Sequence, residues 1–168
     1  MGRGGGRKGR KEALPLFEGK MNMAEKPEDK RMSGKGKGPV PLKVAYILIC
    51  ERYFFAEGKD SYLFVFDRIQ APKFPLFIHS LHLAVEFEGP SNEELKAAIS
   101  FLGPEGKEIL PKFKVSGFLS EFGASRLQVD IREVTLPSPG RYVFRIFSGK
   151  DLLGERVLWV EKAKKGVK

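Results

Sequence analysis

Hydrophobic and polar residues alternate along most of the chain between residues 43 and 161. The pattern is clearest in residues 81–87 (LHLAVEF), where every odd position is a large apolar residue. Residues 127–132 (LQVDIR) repeat it without interruption. Successive residues of a strand point to opposite faces of its sheet. Both segments therefore predict strands that have one buried face and one solvated face.

Turn signals separate about eight such segments, and no segment has a convincing helical period. The predicted strands cover residues 43–55, 61–69, 79–88, 94–102, 108–115, 125–134, 141–147 and a last strand ending in VLWVEK. Pro111 interrupts the fifth of them and predicts an edge strand, since proline cannot donate to a sheet ladder. The spacing predicts an all-β fold, an antiparallel two-sheet β-sandwich of immunoglobulin-like or C2-like type.

The stretch Ser61–Ile69 (SYLFVFDRI) is the segment around which the other strands are organised in this interpretation. It carries apolar side chains at both parities, which predicts a central strand covered on both faces. Pro72 and Pro75 follow; each fixes φ and lacks an N–H donor. We therefore expect the chain to leave this strand through a rigid corner and enter its neighbour.

One face of this segment predicts an apolar surface. If Leu63, Val65 and Ile69 form the inward row, the aromatic residues between them face outward. A second apolar row flanks Arg145 on the strand after Pro139. Should the two strands be neighbours, their side chains form one patch, which a monomer rarely leaves wet. The candidate partner-binding residues are Tyr62, Phe64, Phe66, Val143 and Phe147.

Four short motifs stand out in this part of the chain. They are Cys50-Glu51, Phe66-Asp67-Arg68-Ile69, Pro72-Lys73-Phe74-Pro75 and Pro139-Gly140-Arg141-Tyr142. With them, residues 43–160 resemble an uncharacterised bacterial β-sandwich family, from which the chain departs at Phe64, a place where that family often has a small residue. The resemblance implies the fold and implies no established activity.

The positive charge of the chain lies at its ends. Residues 1–42 hold 11 Lys+Arg and 5 Asp+Glu, a net charge of +6, whereas residues 43–161 hold 15 and 16, a net charge of −1. Residues 162–168 add four lysines and no acid. The Gly-rich first segment lacks a periodic apolar pattern, so residues 1–42 are predicted to be a disordered tail and residues 162–168 a basic C-terminal tail.

The N-terminal tail supplies the alternative function, which is association with nucleic acid. Its candidate nucleic-acid-binding residues are Arg3, Arg7, Lys8, Arg10 and Lys11. Such a tail binds phosphates through charge without fixed structure. A solvated extension without a role is the simpler reading of a charge run. Residues 4–9 match G-x-G-x-x-G, but no strand precedes them and no helix follows, as a dinucleotide site requires.

Candidate catalytic chemistry is sparse. Cys50 is the single cysteine, which excludes an internal disulfide. Paired with a histidine it could be a nucleophile, but a lone cysteine in an apolar strand is more often a core side chain. His79 and His82 fall on opposite faces of a strand, so no metal site is expected. Glu86 and Glu88 share a face and are expected to be solvated.

These patterns predict a non-enzymatic binding or assembly module that acts through a protein partner or a homo-oligomer. No catalytic residue, cofactor or metal is expected. No segment reaches the roughly 20 apolar residues that span a bilayer, so no membrane association is expected and the predicted location is cytoplasmic. The chain has only two Asn and two Gln but many Lys and Glu, a composition that weakly favours a heat-adapted source organism.

Overall fold

A computed structural model describes residues 18–21, as backbone, and residues 41–164. These residues form ten strands and one turn of 3-10 helix at Pro104–Gly106. The strands are β1 (Glu18–Met21), β2 (Lys43–Ala56), β3 (Lys59–Val65), β4 (Arg68–Ala71), β5 (Leu76–Glu88), β6 (Glu94–Leu102), β7 (Glu108–Phe118), β8 (Ala124–Leu136), β9 (Gly140–Ser148) and β10 (Asp151–Lys162). The predicted all-β class is confirmed.

The strands form two five-stranded sheets. Sheet A has the order β1-β8-β5-β2-β3, and sheet B has the order β4-β10-β9-β6-β7. All described pairs are antiparallel except β4 with β10, which is parallel. The antiparallel prediction is wrong for this pair because β4 arrives directly from the edge of sheet A and not through a hairpin with β10. The predicted edge position of the strand that contains Pro111 is confirmed.

The inner faces of the two sheets share one core. It takes the odd residues 81–87 from β5, the odd residues 127–131 from β8 and the odd residues 95–101 from β6. From β9 it takes the even residues 142–146, and the Phe101 ring stacks on that of Phe144 at 4.1 Å between centroids. Burial of each large apolar side chain contributes about 1.5–3 kcal/mol. The alternation that predicted strands 79–88 and 125–134 therefore matches their burial.

Residues 61–69 do not form one central strand. They end β3 at the edge of sheet A and begin β4 at the edge of sheet B. The Phe66 N–H donates to the Ile49 carbonyl in sheet A at 3.0 Å, and the Asp67 carbonyl accepts from the Trp159 N–H in sheet B at 2.8 Å. The chain thus changes sheets between two consecutive residues, at the point where the apolar run that ends at Phe66 meets the charged pair Asp67-Arg68.

The predicted inward row is also wrong in part. Leu63 is 42% exposed and Val65 is 49% exposed, whereas Ile69 packs against the core as predicted. Phe64 has a φ of +54°, in the left-handed region that non-glycine residues seldom occupy. This conformation interrupts the alternation of faces, so the parity of residues 61–65 does not continue into residues 66–69.

The backbone of Glu18–Met21 pairs with β8 in an antiparallel register, from Glu18 opposite Asp130 to Met21 opposite Leu127. The sequence placed these residues in a disordered tail because four residues carry no periodic signal. Their partner is the outer edge of β8, which offers unpaired backbone groups to any extended segment. The predictions for residues 1–17, 22–40 and 165–168 lie outside the described residues.

The segment Pro139-Gly140-Arg141-Tyr142 owes its pattern to a tight corner. The buried Tyr142 hydroxyl donates to the Ser138 carbonyl at 2.6 Å. Gly140 has a φ of +149°, and a Cβ atom at this position would lie 2.6 Å from Pro104 Cγ. A tyrosine that bonds to the backbone four residues upstream is the corner found in many Greek-key sandwiches.

Candidate functional site

The most unusual feature is a hairpin arm, residues 51–65, which extends past the last pair of β2 with β5 at Cys50 and His82. Its turn at Glu57 and Gly58 has positive φ at both residues, as a two-residue hairpin turn requires. Asp60 in this arm reaches side chains of β8, two strands away from β2. The arm therefore lies across the outer face of sheet A.

Asp60 is the centre of a polar network beneath the arm. Its carboxylate accepts hydrogen bonds from Tyr53 Oη at 2.9 Å, from Arg126 Nη1 at 2.9 Å and from Gln128 Nε2 at 3.2 Å. Burial alone would raise the pKa of Asp60, but these hydrogen bonds outweigh burial and lower it. The carboxylate is therefore held charged, because every donor in the network favours the ionised form.

Arg126 ties this network to the sheet. Its Nε donates to Glu86 on β5 while Nη1 donates to Asp60, and both bonds, that to Glu86 first, raise the pKa of the guanidinium. Burial and the nearby hydroxyl of Tyr62 raise the pKa of Tyr46. The Tyr62 hydroxyl is itself buried and has no well-formed hydrogen bond within the part of the chain that the structure describes. We call these side chains the outer-face network: Tyr46, Tyr53, Asp60, Tyr62, Glu86, Arg126 and Gln128.

The hairpin arm also exposes apolar side chains to solvent. Half of the ten exposed large apolar side chains among the described residues lie on it: Phe54, Phe55, Leu63, Phe64 and Val65. Phe64 is 66% exposed. Strand β3 pairs only with β2, so its second edge has no backbone partner among the described residues. An unpaired edge beside apolar side chains is a surface that readily pairs with another chain.

The structure separates the five residues predicted to bind a partner. Phe64 is exposed on the hairpin arm, as predicted. Tyr62 is half-buried under the arm, with its ring 5.7 Å from that of Tyr53, and Phe66 packs against the core. Val143 and Phe147 lie on β9 in sheet B. The two strands are not neighbours, so the five side chains do not form one surface.

Val143 and Phe147 are also poorly accessible to a binding partner. Val143 is only 3% exposed because Leu102 and Val157 lie opposite it on the two neighbouring strands. Phe147 is half-buried, and the ammonium group of Lys112 lies 4.2 Å from the centre of its ring. The nucleic-acid candidates Arg3, Arg7, Lys8, Arg10 and Lys11 lie outside the described residues, and their role stays a prediction.

The structure does bring the cysteine next to a histidine. Cys50 lies opposite His82 in the β2–β5 ladder, and His82 lies opposite Asp130 in the β5–β8 ladder. His82 Nδ1 is 3.8 Å from Asp130 Oδ1, and Ser80 donates to the same carboxylate oxygen at 2.9 Å. However, the thiol is buried, and burial raises its pKa. A buried thiol with a raised pKa is a weak nucleophile.

The remaining ionisable candidates are dispersed. His79 packs edge-on against Phe77 at 4.8 Å, away from His82. Glu86 bonds to Arg126, and Glu88 pairs with Lys43 at 2.7 Å. Within the described residues, no group of three or more His, Cys, Asp or Glu side chains could hold a metal ion. None of the described residues forms a helix long and apolar enough to cross a membrane.

Sequence reasoning missed a basic trough on the outer face of sheet B. The cavity has a volume of about 640 Å³ and is lined by Lys96, Ala97, Ala98, Lys112, Lys114, Val115, Ser116 and Gly149. No carboxylate belongs to this lining. The signal in the sequence is lysine at alternate positions of β7, which share one face, but the position of Lys96 beside them requires the strand order.

A smaller cavity of about 360 Å³ lies where the first half of β2 passes β10. Arg156 points inward there, at a stretch of β10 that pairs only with β9, and its buried Nε has no hydrogen-bond partner among the described residues. An inward-pointing charge at a free edge discourages the addition of a strand. This arginine therefore has a structural explanation.

Residues 45–161 match the model of a family described as a family of unknown function (DUF6941). The chain belongs to this family. The match begins in β2 and ends in β10, so it contains β3 to β9 entirely and includes the hairpin arm, both halves of the Phe66–Ile69 segment and the Tyr142 corner. No curated protein sequence matches the chain.

Two solved structures are similar over part of their length. One is the Pseudomonas fluorescens alkylpurine DNA glycosylase AlkC bound to DNA with an abasic site analogue: 15% identity, TM-score 0.43, 71% of this chain and 30% of the glycosylase. The other is the β-D-glucoside glucohydrolase from Trichoderma reesei: 13% identity, TM-score 0.42, 72% of this chain and 19% of the enzyme. The chain spans less than a third of either protein.

Proposed function

We propose that this protein is a non-enzymatic binding or assembly module that makes protein–protein contacts through its hairpin arm. The observation that carries the proposal is the arm itself, on which five large apolar side chains stay exposed. Monomers seldom expose a contiguous apolar patch, because covering each such side chain contributes about 1.5–3 kcal/mol. Either a second copy of the chain or another protein would cover it.

The construction of the arm supports this role. Hydrogen bonds from Arg126 and Gln128 of β8 to Asp60 hold the arm against sheet A, and Tyr53 donates to Asp60 within the arm, so the exposed side chains are fixed in place before a partner arrives. A rigid surface loses less conformational entropy on association. The free edge of β3 adds backbone donors and acceptors to the same surface, which suits the addition of a strand from a partner.

The proposal also includes the finer predictions about the fold and the setting. The corner at Tyr142 and Ser138 favours the immunoglobulin-like type over the C2-like type, since the same hydrogen bond recurs in immunoglobulin-like sandwiches. A cytoplasmic location follows from the single cysteine and remains part of the proposal. The module as proposed requires no cofactor.

The decisive variant is Phe64→Glu in the full chain. Phe64 is the most exposed apolar side chain of the arm, so the variant should keep its circular dichroism spectrum and its unfolding midpoint. It should weaken self-association, measured by light scattering over a concentration series, by at least about tenfold, as loss of a central aromatic contact does. Phe122→Glu is the matched control, because Phe122 is 85% exposed on the β7–β8 loop.

If the wild-type chain is monomeric throughout that series, the same pair of variants is compared in a pull-down with immobilised full chain. Partners lost from Phe64→Glu and kept by Phe122→Glu support the arm. Unfolding of Phe64→Glu would place Phe64 in the core and contradict the exposed arm. A folded Phe64→Glu with unchanged mass and unchanged partners would leave the arm without a role in binding.

A further inference from the structure

The outer face of sheet B carries positive charge that the net charge of residues 43–161 conceals. Its outward-facing cations are Arg68, Lys96, Lys112, Lys114, Arg141 and Arg145, and its outward-facing carboxylates are Glu94, Glu108, Glu155 and Glu161. Glu155 is shared between Arg141 at 3.1 Å and Arg145 at 3.3 Å. Cations thus outnumber carboxylates on this face, and the excess is concentrated around the basic trough.

The trough exists because a small residue stands between larger ones. Ala98 on β6 lies opposite Phe147 on β9 and opposite Lys114 on β7, so the floor is low and both walls are high. Lys112 stretches across β6 to place its ammonium group over the Phe147 ring at 4.2 Å. Lys96 is paired with Glu94 at 2.8 Å, whereas Lys112 and Lys114 have no carboxylate partner among the described residues.

A second recess continues the same face towards the other end of β9. It has a volume of about 280 Å³ and is lined by Arg141 and Arg145 together with Glu105. From Arg141 to Ser148 the strand rises about 24 Å, given roughly 3.4 Å per residue. Trp159, 44% exposed, lies opposite Arg141 on β10 and presents an aromatic ring at that end. The trough and this recess therefore form a track along the outer face of sheet B, with the Trp159 ring at one end.

We propose that this track binds single-stranded nucleic acid, with the lysines of the trough contacting phosphates and Trp159 offering its exposed ring to a base. Cations along a groove match a phosphodiester backbone, and an exposed aromatic ring adds stacking that is independent of base identity. An acidic peptide would contact the cations but would gain no stacking from an aromatic ring. The proposal concerns the face opposite to the hairpin arm and does not depend on the proposed protein contacts.

The test uses the full chain and a fluorescein-labelled thymidine 12-mer. Binding is measured by fluorescence anisotropy at about 50 to 200 mM NaCl, because phosphate contacts are strongest at the low end of this range. The triple variant Lys96→Gln, Lys112→Gln, Lys114→Gln should bind at least about tenfold more weakly than the wild type. Its plot of log affinity against log salt should be shallower by about 2, since each lost phosphate contact on a single strand changes the slope by about 0.7.

The matched control is the triple variant Lys43→Gln, Lys59→Gln, Lys73→Gln, which removes the same charge from exposed positions elsewhere. It should stay within about threefold of the wild type, because the track is untouched. A further variant, Ala98→Phe, fills the trough without removing a charge. It should weaken binding at least about fivefold while circular dichroism shows an intact fold, because phosphates can no longer approach the lysines.

Three results would overturn the proposal. The first is equal weakening by the two triple variants, which would assign binding to diffuse charge, including that of residues 1–40. The second is no binding by the wild type at the lowest salt. The third is displacement of the oligonucleotide by polyglutamate of equal charge, or equally tight binding of a duplex of the same length, either of which would remove the role of base stacking.

Discussion

The outer faces of the two sheets differ in how their cations are paired with carboxylates. On sheet A, Arg126 is bonded to two carboxylates, and the arm above it covers the resulting network. On sheet B, Lys112 and Lys114 point to an open trough with no carboxylate in its lining. Charges that are paired within a fold stabilise that fold, whereas charges without a partner are available to a ligand. We therefore expect the network around Arg126 to stabilise the fold, whereas Lys112 and Lys114 are available to the ligand proposed above.

The largest expected effect is the loss of the cation in the outer-face network. Arg126→Gln removes hydrogen bonds to Asp60 and Glu86 and leaves two carboxylates close together. Asp60 is 9% exposed and Arg126 is 50% exposed, so the cost lies below that of a fully buried pair. We expect the free energy of unfolding, measured in urea, to fall by about 2 kcal/mol.

The matched change on sheet B is Lys114→Gln, which should alter the free energy of unfolding by less than about 0.5 kcal/mol. Equal effects of the two substitutions would show that both faces use their charges alike and would remove the basis of the comparison.

The second effect depends on pH. The pKa of Asp60 is lower in the folded chain than in the unfolded chain, where an aspartate titrates near 3.9, about its ordinary value. The carboxylate therefore stabilises the fold fully above that unfolded value, and this contribution is lost as the pH falls through the folded pKa. Asp60→Asn should cost about 1 to 2 kcal/mol at pH 7.

The difference between Asp60→Asn and the wild type should shrink as the pH is lowered from about 5 to 2, because the wild-type carboxylate becomes protonated as well. Urea unfolding at several pH values measures this. A difference that stays constant with pH would mean that Asp60 acts through its shape and not through its charge.

The smallest effect concerns Lys112 and the ring beneath it. Lys112→Met keeps the apolar stem and removes the ammonium group that lies over Phe147. At an exposed site this cation–π contact contributes about 0.5 to 1 kcal/mol, so the midpoint of thermal unfolding should fall by only a few degrees at most. A loss as large as that of Arg126→Gln would make Lys112 a structural residue and weaken the assignment of the trough to a ligand.

The sequence predicted most of the elements because the decisive signals are local. Alternation in residues 81–87 and 127–132 needs only neighbouring residues, and Pro111 alone marks β7 as an edge. The prediction for residues 61–69 was wrong, because the alternation of apolar residues up to Phe66 does not show that Asp67 bonds to the other sheet. The positive φ of Phe64, a conformation that glycine adopts at least cost, also left no local signal, because the residue there is a phenylalanine.

The sites could be predicted less well than the strands, because they depend on lateral neighbours. Val143 faces outward as its parity predicts, yet Leu102 and Val157 bury it from either side. Asp60 and Arg126 are 66 residues apart in the chain and meet only because the arm folds over sheet A. Likewise the trough depends on Ala98 lying between Phe147 and Lys114, an arrangement that requires the order of three strands.

The step between Phe66 and Asp67 has a mechanical consequence. These consecutive residues are hydrogen-bonded to different sheets, so a single peptide unit fastens the edge of sheet A to the edge of sheet B. The hairpin arm ends at Val65, directly on the N-terminal side of this peptide unit. Tension applied to the arm by a bound partner would therefore act first on the Phe66–Ile49 bond and on the ring of Phe66 in the core. Force taken up at the arm is thus shared by both sheets, which must separate together and not one strand at a time.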